Sequence, residues 1–318
     1  MKRALIALAL ALAACGQGAR SSPPSPSNPA PAASSASLTP ANLSAFFDCL
    51  RERSFTAISA HRGGPGPGFA ENSIPTFAHT LTLVPAIMEV DIAATRDHVL
   101  VLMHDETVAR TTNGAGPVDR LTGAQFAALK LRDDEGRVLD AHPPTLRQAL
   151  DWAAGKTILA LDVKPGVAYE DVAKAVREAG AMERVVFITY SVAGASRLHR
   201  VEAQAMLFVT ITKAGDLDEL VRRGVDLERV VAWTGADEPN SALNTALNQR
   251  GVETEFGALG GGSSWDARFA REGRDQYAAF ADTGLQVIAT ARPQAALADL
   301  DAHDNVEGYG ALQCVGAH

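Results

Sequence analysis

From about Leu43 onward, short runs of apolar and β-branched residues alternate with stretches in which apolar positions recur every three or four residues. The runs predict strands over Thr56–Ala60, Ile87–Ile92, Val99–Met103, Ile158–Val163, Val185–Thr189, Met206–Ile211, Val230–Trp233, Val252–Glu255 and Val287–Ala289. The periodic stretches predict helices over Ile74–Thr82, Gly123–Lys130, Leu146–Ala154, Tyr169–Ala179, Ala193–Val201, Leu217–Arg223, Ser241–Gln249, Arg274–Thr283 and Pro293–Leu300. Strand–helix alternation over roughly 250 residues with no linker predicts an α/β fold of one domain, a (β/α)₈ or TIM barrel. A doubly wound sheet is the alternative, but no Gly-x-Gly-x-x-Gly turn supports it. Nine strands is one too many for the barrel. Only six residues separate Ile92 from Val99, whereas a parallel crossover needs about a dozen. That pair therefore predicts a hairpin turning near Thr95-Arg96-Asp97-His98, which brings His104 back beside Glu89 and Asp91.

The pattern before Leu43 is different. Ala4 to Ala14 is unbroken apolar sequence behind Lys2 and Arg3. It suits the core of a signal peptide and falls short of the roughly 20 residues of a membrane span. It runs into Leu12-Ala13-Ala14-Cys15, which resembles a bacterial lipobox. That likeness implies cleavage before Cys15 and lipid on its sulfur; a plain secretory signal is the alternative. Gly16 to Pro40 is rich in Ser, Pro and Ala and reads as a tether. The expected organisation is a signal peptide at 1–14, a tether at 15–42 and a folded domain at 43–318. The protein is then expected in a bacterial cell envelope, lipid-anchored on the periplasmic face or the cell surface.

Composition narrows the chemistry. A hydrophobic fraction of 47% excludes wholesale disorder. A net charge of −8 argues against nucleic acid as partner, so a phosphate-bearing ligand needs local cations. Three cysteines without a C-x-x-C pair leave no thiolate zinc site. Buried barrel strands should be apolar, yet Glu89-Val90-Asp91 and Asp162-Val163-Lys164 each put two charges on one face. Both pairs lie at strand C-termini, where such barrels carry their active sites. Glu89, Asp91 and Asp162 make an oxygen site suited to Ca²⁺ or Mg²⁺. His61 and His104, also at strand ends, are the candidate proton-transfer pair. Arg62 and Lys164 are candidates for binding phosphate and for pairing with the same carboxylates. Glu71, after a Gly/Pro loop, joins them as a substrate-binding candidate. His79, His98, His142, His199, His303 and His318 read as ordinary packed or surface residues.

His61-Arg62-Gly63, Glu71-Asn72-Ser73, Glu89-x-Asp91, Thr95-x-Asp97, His104-Asp105 and Arg110-Thr111-Thr112-x-Gly114, in that order, resemble the glycerophosphodiester phosphodiesterase family. The likeness covers residues 58 to about 166; beyond 185 only the strand–helix rhythm matches. It implies a barrel of the phosphatidylinositol-phosphodiesterase-like kind that cleaves glycerophosphodiesters to sn-glycerol 3-phosphate and an alcohol, with a divalent metal, often Ca²⁺. It further implies His61 and His104 as acid and base, Glu89, Asp91 and Asp162 around the metal, and Arg62 on the phosphate. A phospholipase of C or D type acting on intact lipid, or a non-catalytic binder of phosphorylated ligands, are the other function classes.

Two positions depart from the family pattern. Asp162 stands where the family usually has Glu. Thr290-Ala291-Arg292-Pro293 stands where it usually has Thr-Asp-x-Pro, so an acceptor at the barrel mouth is missing. The Gly260–Trp265 loop has no evident family counterpart; it either shapes the alcohol side of the pocket or is a surface turn. With Cys15 lipidated, Cys49 and Cys314 remain. A closed barrel makes its ends neighbours, which predicts a Cys49–Cys314 disulfide in an oxidising compartment.

Overall fold

The apolar runs pair into a single closed sheet. The computed structural model describes residues 37–303 and 309–317. Its strands are β1 (Ala57–Ala60), β2 (Ile87–Ala94), β3 (Leu100–Leu102), β4 (Leu159–Val163), β5 (Val185–Thr189), β6 (Met206–Thr210), β7 (Val230–Trp233), β8 (Glu253–Gly257) and β9 (Val287–Thr290). Eight of them run parallel in the order β1-β2-β4-β5-β6-β7-β8-β9, and β9 returns to β1 with Ala57 opposite Val287. β3 is the ninth, antiparallel on the upper end of β2 with Ile92 opposite Leu102. The hairpin is therefore real and the barrel has its eight strands. β1, β4, β8 and β9 are buried along their whole length, as expected of parallel strands covered on both faces.

The helices are α1 (Leu43–Arg53), α2 (Ile74–Leu83), α3 (Gly123–Ala127), α4 (Leu146–Ala153), α5 (Tyr169–Glu178), α6 (Val192–Val201), α7 (Gly215–Arg222), α8 (Ser241–Asn248), α9 (Trp265–Glu272), α10 (Tyr277–Ala281) and α11 (Pro293–Asp301). Side-chain caps set several starts: Ser73 accepts from Thr76 N–H, and Thr122 and Thr145 form capping boxes with Gln125 and Gln148. The sequence reading assigned no element to α1 or α9. The helix expected over Arg274–Thr283 is α10, which begins only at Tyr277; Gly273, in a left-handed conformation, closes α9 before it.

α1 seals the foot of the barrel. Phe46, Phe47 and Leu50 are fully buried. Phe47 packs edge-on against Phe208 of β6, with 5.9 Å between ring centroids. Arg51 Nε donates to Glu253 Oε1 (2.6 Å) at the start of β8. That leaves the opposite end of the barrel open for chemistry. Between β3 and α4 the chain makes a long excursion. Val101, Met103, Val108, Val118 and Phe126 form a small core of their own beneath it, so His104 and Arg110 stand on a packed platform.

Cys49 of α1 and Cys314 of a short C-terminal 3₁₀ turn form a disulfide, with Cα atoms 5.6 Å apart across 265 residues of sequence. Removing it by Cys49→Ser/Cys314→Ser is expected to lower the unfolding free energy by about 2–4 kcal/mol, since so long a closed loop restricts the unfolded chain strongly. Urea midpoints of wild type and double variant check this, and equal midpoints would show that the bridge adds no stability. Leu38, inside the stretch read as tether, is fully buried, and its N–H donates to Lys156 O (3.1 Å). The stretch expected to be a signal peptide at 1–14, Cys15, the expected tether up to residue 36, and His318 lie outside the described residues. No helix among the described residues is long and apolar enough to cross a membrane.

Candidate active site

A cavity of about 310 Å³ opens at the C-terminal ends of the strands. His61, Arg62, Glu89, Asp91, His104, Asp162 and Lys164 all line it, so every one of these predicted site residues comes together there. The strand register explains the core of it. Asp91 of β2 lies opposite Asp162 of β4, and Glu89 is two residues back on the same face of β2. All three side chains are buried, and they offer ligand oxygens within 4.8 Å of one another.

These carboxylates are held in place from several directions. Asn72 clamps Asp91 twice: its side-chain N–H₂ donates to Asp91 Oδ2 (2.6 Å), and its side-chain oxygen accepts from Asp91 N–H (2.9 Å). The Arg62 backbone N–H donates to Glu89 Oε2 (2.7 Å). Lys164 Nζ reaches Asp91 Oδ1 and Asp162 Oδ2, both at 2.6 Å. Tyr190 Oη donates to Asp162 Oδ2 (2.7 Å). Burial, with Asp91 beside it, pushes the Glu89 carboxyl well above the usual range. Burial alone would lower the Lys164 ammonium, but Asp91 and Asp162 together raise it. The buried Asp162 Oδ1 has no hydrogen-bond partner among the described residues. An orphaned carboxylate oxygen beside two other carboxylates is what a hard divalent cation would satisfy. The donor set therefore fits such an ion, and Asp162 reaches the cluster despite being one methylene shorter than Glu.

Arg62 and Asn72 both adopt left-handed backbone conformations, φ +52° and +54°, uncommon for residues with side chains. Their segments are tied by Asn72 N–H donating to Arg62 O (3.0 Å). The following Gly63 cannot be replaced, because a Cβ there would fall 2.2 Å from the Phe77 ring. Such strain persists only where the surroundings over-determine it, and here it aims His61, Arg62 and Asn72 into one site.

The two histidines differ in setting. Burial, then the Arg62 cation, pushes the His61 imidazole down to about 3, so it is neutral at neutral pH. His104 Nδ1 lies 2.7 Å from Asp105 Oδ1. Asp105 is gripped by Arg110 through Nε (2.7 Å) and Nη2 (2.9 Å), which holds it well below the usual carboxylate range. An ionised Asp105 can only accept, so His104 Nδ1 is the donor and Nε2 is left for the cavity. Arg110 also forks onto Glu71 with both terminal nitrogens at 2.8 Å, and Arg62 Nη1 joins them at 3.0 Å. Glu71, the substrate-contact candidate, thus meets two arginines here. It is buried and fully engaged by two guanidinium groups, and its negative charge is placed to position Arg62 and Arg110 rather than to meet a phosphate.

The departure at Thr290-Ala291-Arg292-Pro293 is answered by α9. Asp266, buried at its first turn, accepts from Ala291 N–H (2.6 Å), Thr290 Oγ1 (2.7 Å) and Tyr277 Oη (2.7 Å). It supplies, from another element, an acceptor at the turn where Ala291 has none. Of the Gly260–Trp265 loop, Gly260 lines the cavity, while Gly261, Gly262 and Ser263 are exposed.

Asn72, Asp105, Arg110 and Tyr190 have no role assigned from sequence. The first three lie inside the quoted motifs, and Tyr190 directly follows β5. Glu255 is the larger omission. Glu253 and Glu255 share one face of β8, the same signature that singles out β2 and β4. The structure separates them: Glu253 pairs with Arg51 at the barrel foot, while Glu255 faces the cavity.

Burial alone pushes the Glu255 carboxyl up to about 8 from 4.5. The folded state then keeps a proton that the unfolded chain loses, so stability falls as pH rises through that window. Glu255→Gln is expected to stabilise the fold at pH 8 by on the order of a few kcal/mol and much less at pH 4.5. Urea midpoints at both pH values check this; a gap that does not widen with pH would show the carboxyl is not titrating abnormally.

Sequence and structure comparisons agree with this geometry. The glycerophosphodiester phosphodiesterase of Caldanaerobacter subterraneus subsp. tengcongensis is 32% identical over 143 residues, 43% of this chain and 58% of that protein. Human glycerophosphodiester phosphodiesterase 1 is 34% identical over 120 residues, 36% of this chain and 35% of that protein. The chain thus spans little more than half, or about a third, of these relatives' lengths. The crystal structure of a glycerophosphoryl diester phosphodiesterase from Parabacteroides distasonis superposes with a TM-score of 0.74 at 27% identity, covering 86% of this chain and 96% of that one. The sequence model of the glycerophosphoryl diester phosphodiesterase family matches residues 61–253, from the first cavity histidine to the foot of β8. That match takes in more than half of the chain, and the protein belongs to this family.

Proposed function

We propose that the chain hydrolyses glycerophosphodiesters to sn-glycerol 3-phosphate and an alcohol, using His61 and His104 as its proton-transfer pair. The observation that carries this reading is the meeting of the buried Glu89–Asp91–Asp162 cluster with both imidazoles on one cavity. Arg62 and Lys164 give a phosphodiester local cations in an otherwise acidic protein. Neutral His61 is suited to accept the proton of an attacking glycerol hydroxyl. His104, with anionic Asp105 on Nδ1, is suited to carry a proton on Nε2 and deliver it to the departing alkoxide. Attack by the substrate's own hydroxyl gives a cyclic phosphate, which water opens with the two roles reversed. Holding that hydroxyl in place lowers the barrel site's entropic barrier. A divalent cation held by Glu89, Asp91 and Asp162, with Ca²⁺ the first expectation and Mg²⁺ the second, would add positive charge where the phosphoryl group becomes crowded.

A binding-only role gives no reason for the Asp105–His104 pair. The test is a product assay over glycerophosphodiesters and intact phospholipids, with and without chelator. Release of sn-glycerol 3-phosphate from the diesters is expected. Release of a phosphorylated alcohol or a diacylglycerol from intact lipid instead would assign a phospholipase. The same proposal includes lipidation at Cys15 as the means of holding the enzyme on a bacterial membrane. Cys15→Ser is expected to move it from the membrane fraction to the soluble fraction, and unchanged partition would reject the anchor.

A further inference from the structure

Each of the three cluster carboxylates accepts a hydrogen bond from an uncharged donor. The Arg62 backbone N–H serves Glu89 (2.7 Å), the Asn72 side-chain amide serves Asp91 (2.6 Å), and the Tyr190 hydroxyl serves Asp162 (2.7 Å). The first two donors belong to the segment that follows β1. The third comes from the C-terminal end of β5, 28 residues beyond Asp162. Its place in the fold is fixed on both sides. Thr189 before it is buried, with Oγ1 donating to Phe208 O (3.2 Å). Ser191 after it caps α6, its side chain accepting from Gly194 N–H (3.1 Å). Tyr190 itself is 63% exposed at the rim. Water could satisfy the hydroxyl of so exposed a residue, yet that hydroxyl is turned inward to a buried acid.

Asp162 depends on its donors more than a glutamate would. Rotation about the last side-chain bond of a carboxylate meets only shallow barriers, so hydrogen bonds decide where its oxygens point. With one methylene fewer than Glu, Asp162 has no longer stem with which to correct a wrong orientation. Lys164 Nζ (2.6 Å) and Tyr190 Oη converge on Oδ2. That leaves the buried Oδ1, which has no hydrogen-bond partner among the described residues, as the oxygen free for a ligand.

The two donors are not equivalent. Lys164 is a cation shared with Asp91, and a divalent ion held by the same carboxylates repels it. The phenol is neutral and is not repelled. An ionised carboxylate can only accept, so the phenol is the donor.

We propose that Tyr190 is the positioning residue of the third carboxylate: its hydroxyl holds Asp162 Oδ2 so that Oδ1 is presented to the divalent cation. This inference rests on the metal reading of the cluster given above and assigns the outer-shell partner of its third ligand.

Calorimetric titration of the purified full chain, stripped with chelator and dialysed, with Ca²⁺ and with Mg²⁺ tests it without any substrate. Tyr190→Phe keeps the ring and deletes the hydroxyl. It is expected to weaken binding of the ion that wild type takes up by about tenfold or more, the usual effect of removing an outer-shell partner. The metal concentration for half-maximal hydrolysis should rise in parallel. An unchanged dissociation constant overturns the proposal even where activity falls, since a fall at equal metal affinity would set Tyr190 against the substrate instead. A merely structural Tyr190 would lower the urea midpoint of the metal-free protein and leave the dissociation constant unchanged, which rejects the proposal too. The two possible failures are separable. If wild type takes up neither ion, the metal reading fails and this inference with it. If wild type and variant bind equally well, only the positioning role is lost.

Discussion

His61→Ala and His104→Ala are each expected to reduce turnover by at least about a hundredfold, the usual effect of removing a general acid or base. Neither change should disturb the fold. His104 is partly exposed on a platform with its own core, and His61 ends a strand whose packing is carried by its neighbours. The two differ in setting, because His61 is held neutral by burial and by Arg62 whereas His104 donates through Nδ1 to an ionised Asp105. Asp105→Asn tests the second arrangement. It keeps the shape of the side chain but removes the charge that fixes the Nδ1 proton, so turnover should fall, though less than in His104→Ala. Turnover within a few fold of wild type in either histidine variant would remove that residue from the proton-transfer pair.

Full chelation is expected to abolish activity, and added Ca²⁺ or Mg²⁺ to restore it. Three buried carboxylates with ligand oxygens within 4.8 Å repel an anionic phosphodiester. Arg62 and Lys164 cannot offset that repulsion and also bind phosphate unaided, because they are already paired to the same carboxylates. Asp91→Asn goes further than loss of one charge. Asp91 meets Asn72, Lys164 and Arg62 at once, so its loss loosens the whole floor of the site. Activity should drop at least a hundredfold, and a larger metal concentration should be needed to recover any of it. Metal content by elemental analysis, measured beside activity, decides the matter. Unimpaired hydrolysis by protein shown to be metal-free in excess chelator would end the metal reading.

The motif region was legible because each signal there is local. A strand followed by His-Arg-Gly, or Glu-x-Asp on one strand face, states its own chemistry, and the hairpin followed from a gap too short for any parallel crossover. The pairing of Glu71 was not legible because its sequence neighbours do not reveal Arg110, which lies 39 residues on and bonds to it bidentately. α1 carried a helical pattern in Leu43, Phe46, Phe47 and Leu50, yet its use as a plug under the barrel depends on where Phe208 and Glu253 come to stand. Glu255 carried the same two-charge signature as β2 and β4, but sequence could not tell a glutamate paired at the barrel foot from one facing a cavity.

The sequence by itself determined the barrel, its eight-plus-one strands, the acidic cluster, the histidine pair and the Cys49–Cys314 bridge. Periodicity and spacing along the chain encode which faces are buried, and closure of the sheet then forces the ends together. Only the tertiary structure decided which charge meets which: Glu71 to Arg62 and Arg110, Asp266 to the Ala291 turn, Arg51 to Glu253, and, among the described residues, nothing to Glu255. Those pairings join strands and loops far apart in sequence. Their energies depend on burial and on distances of a few ångströms, which exist only once the barrel has closed.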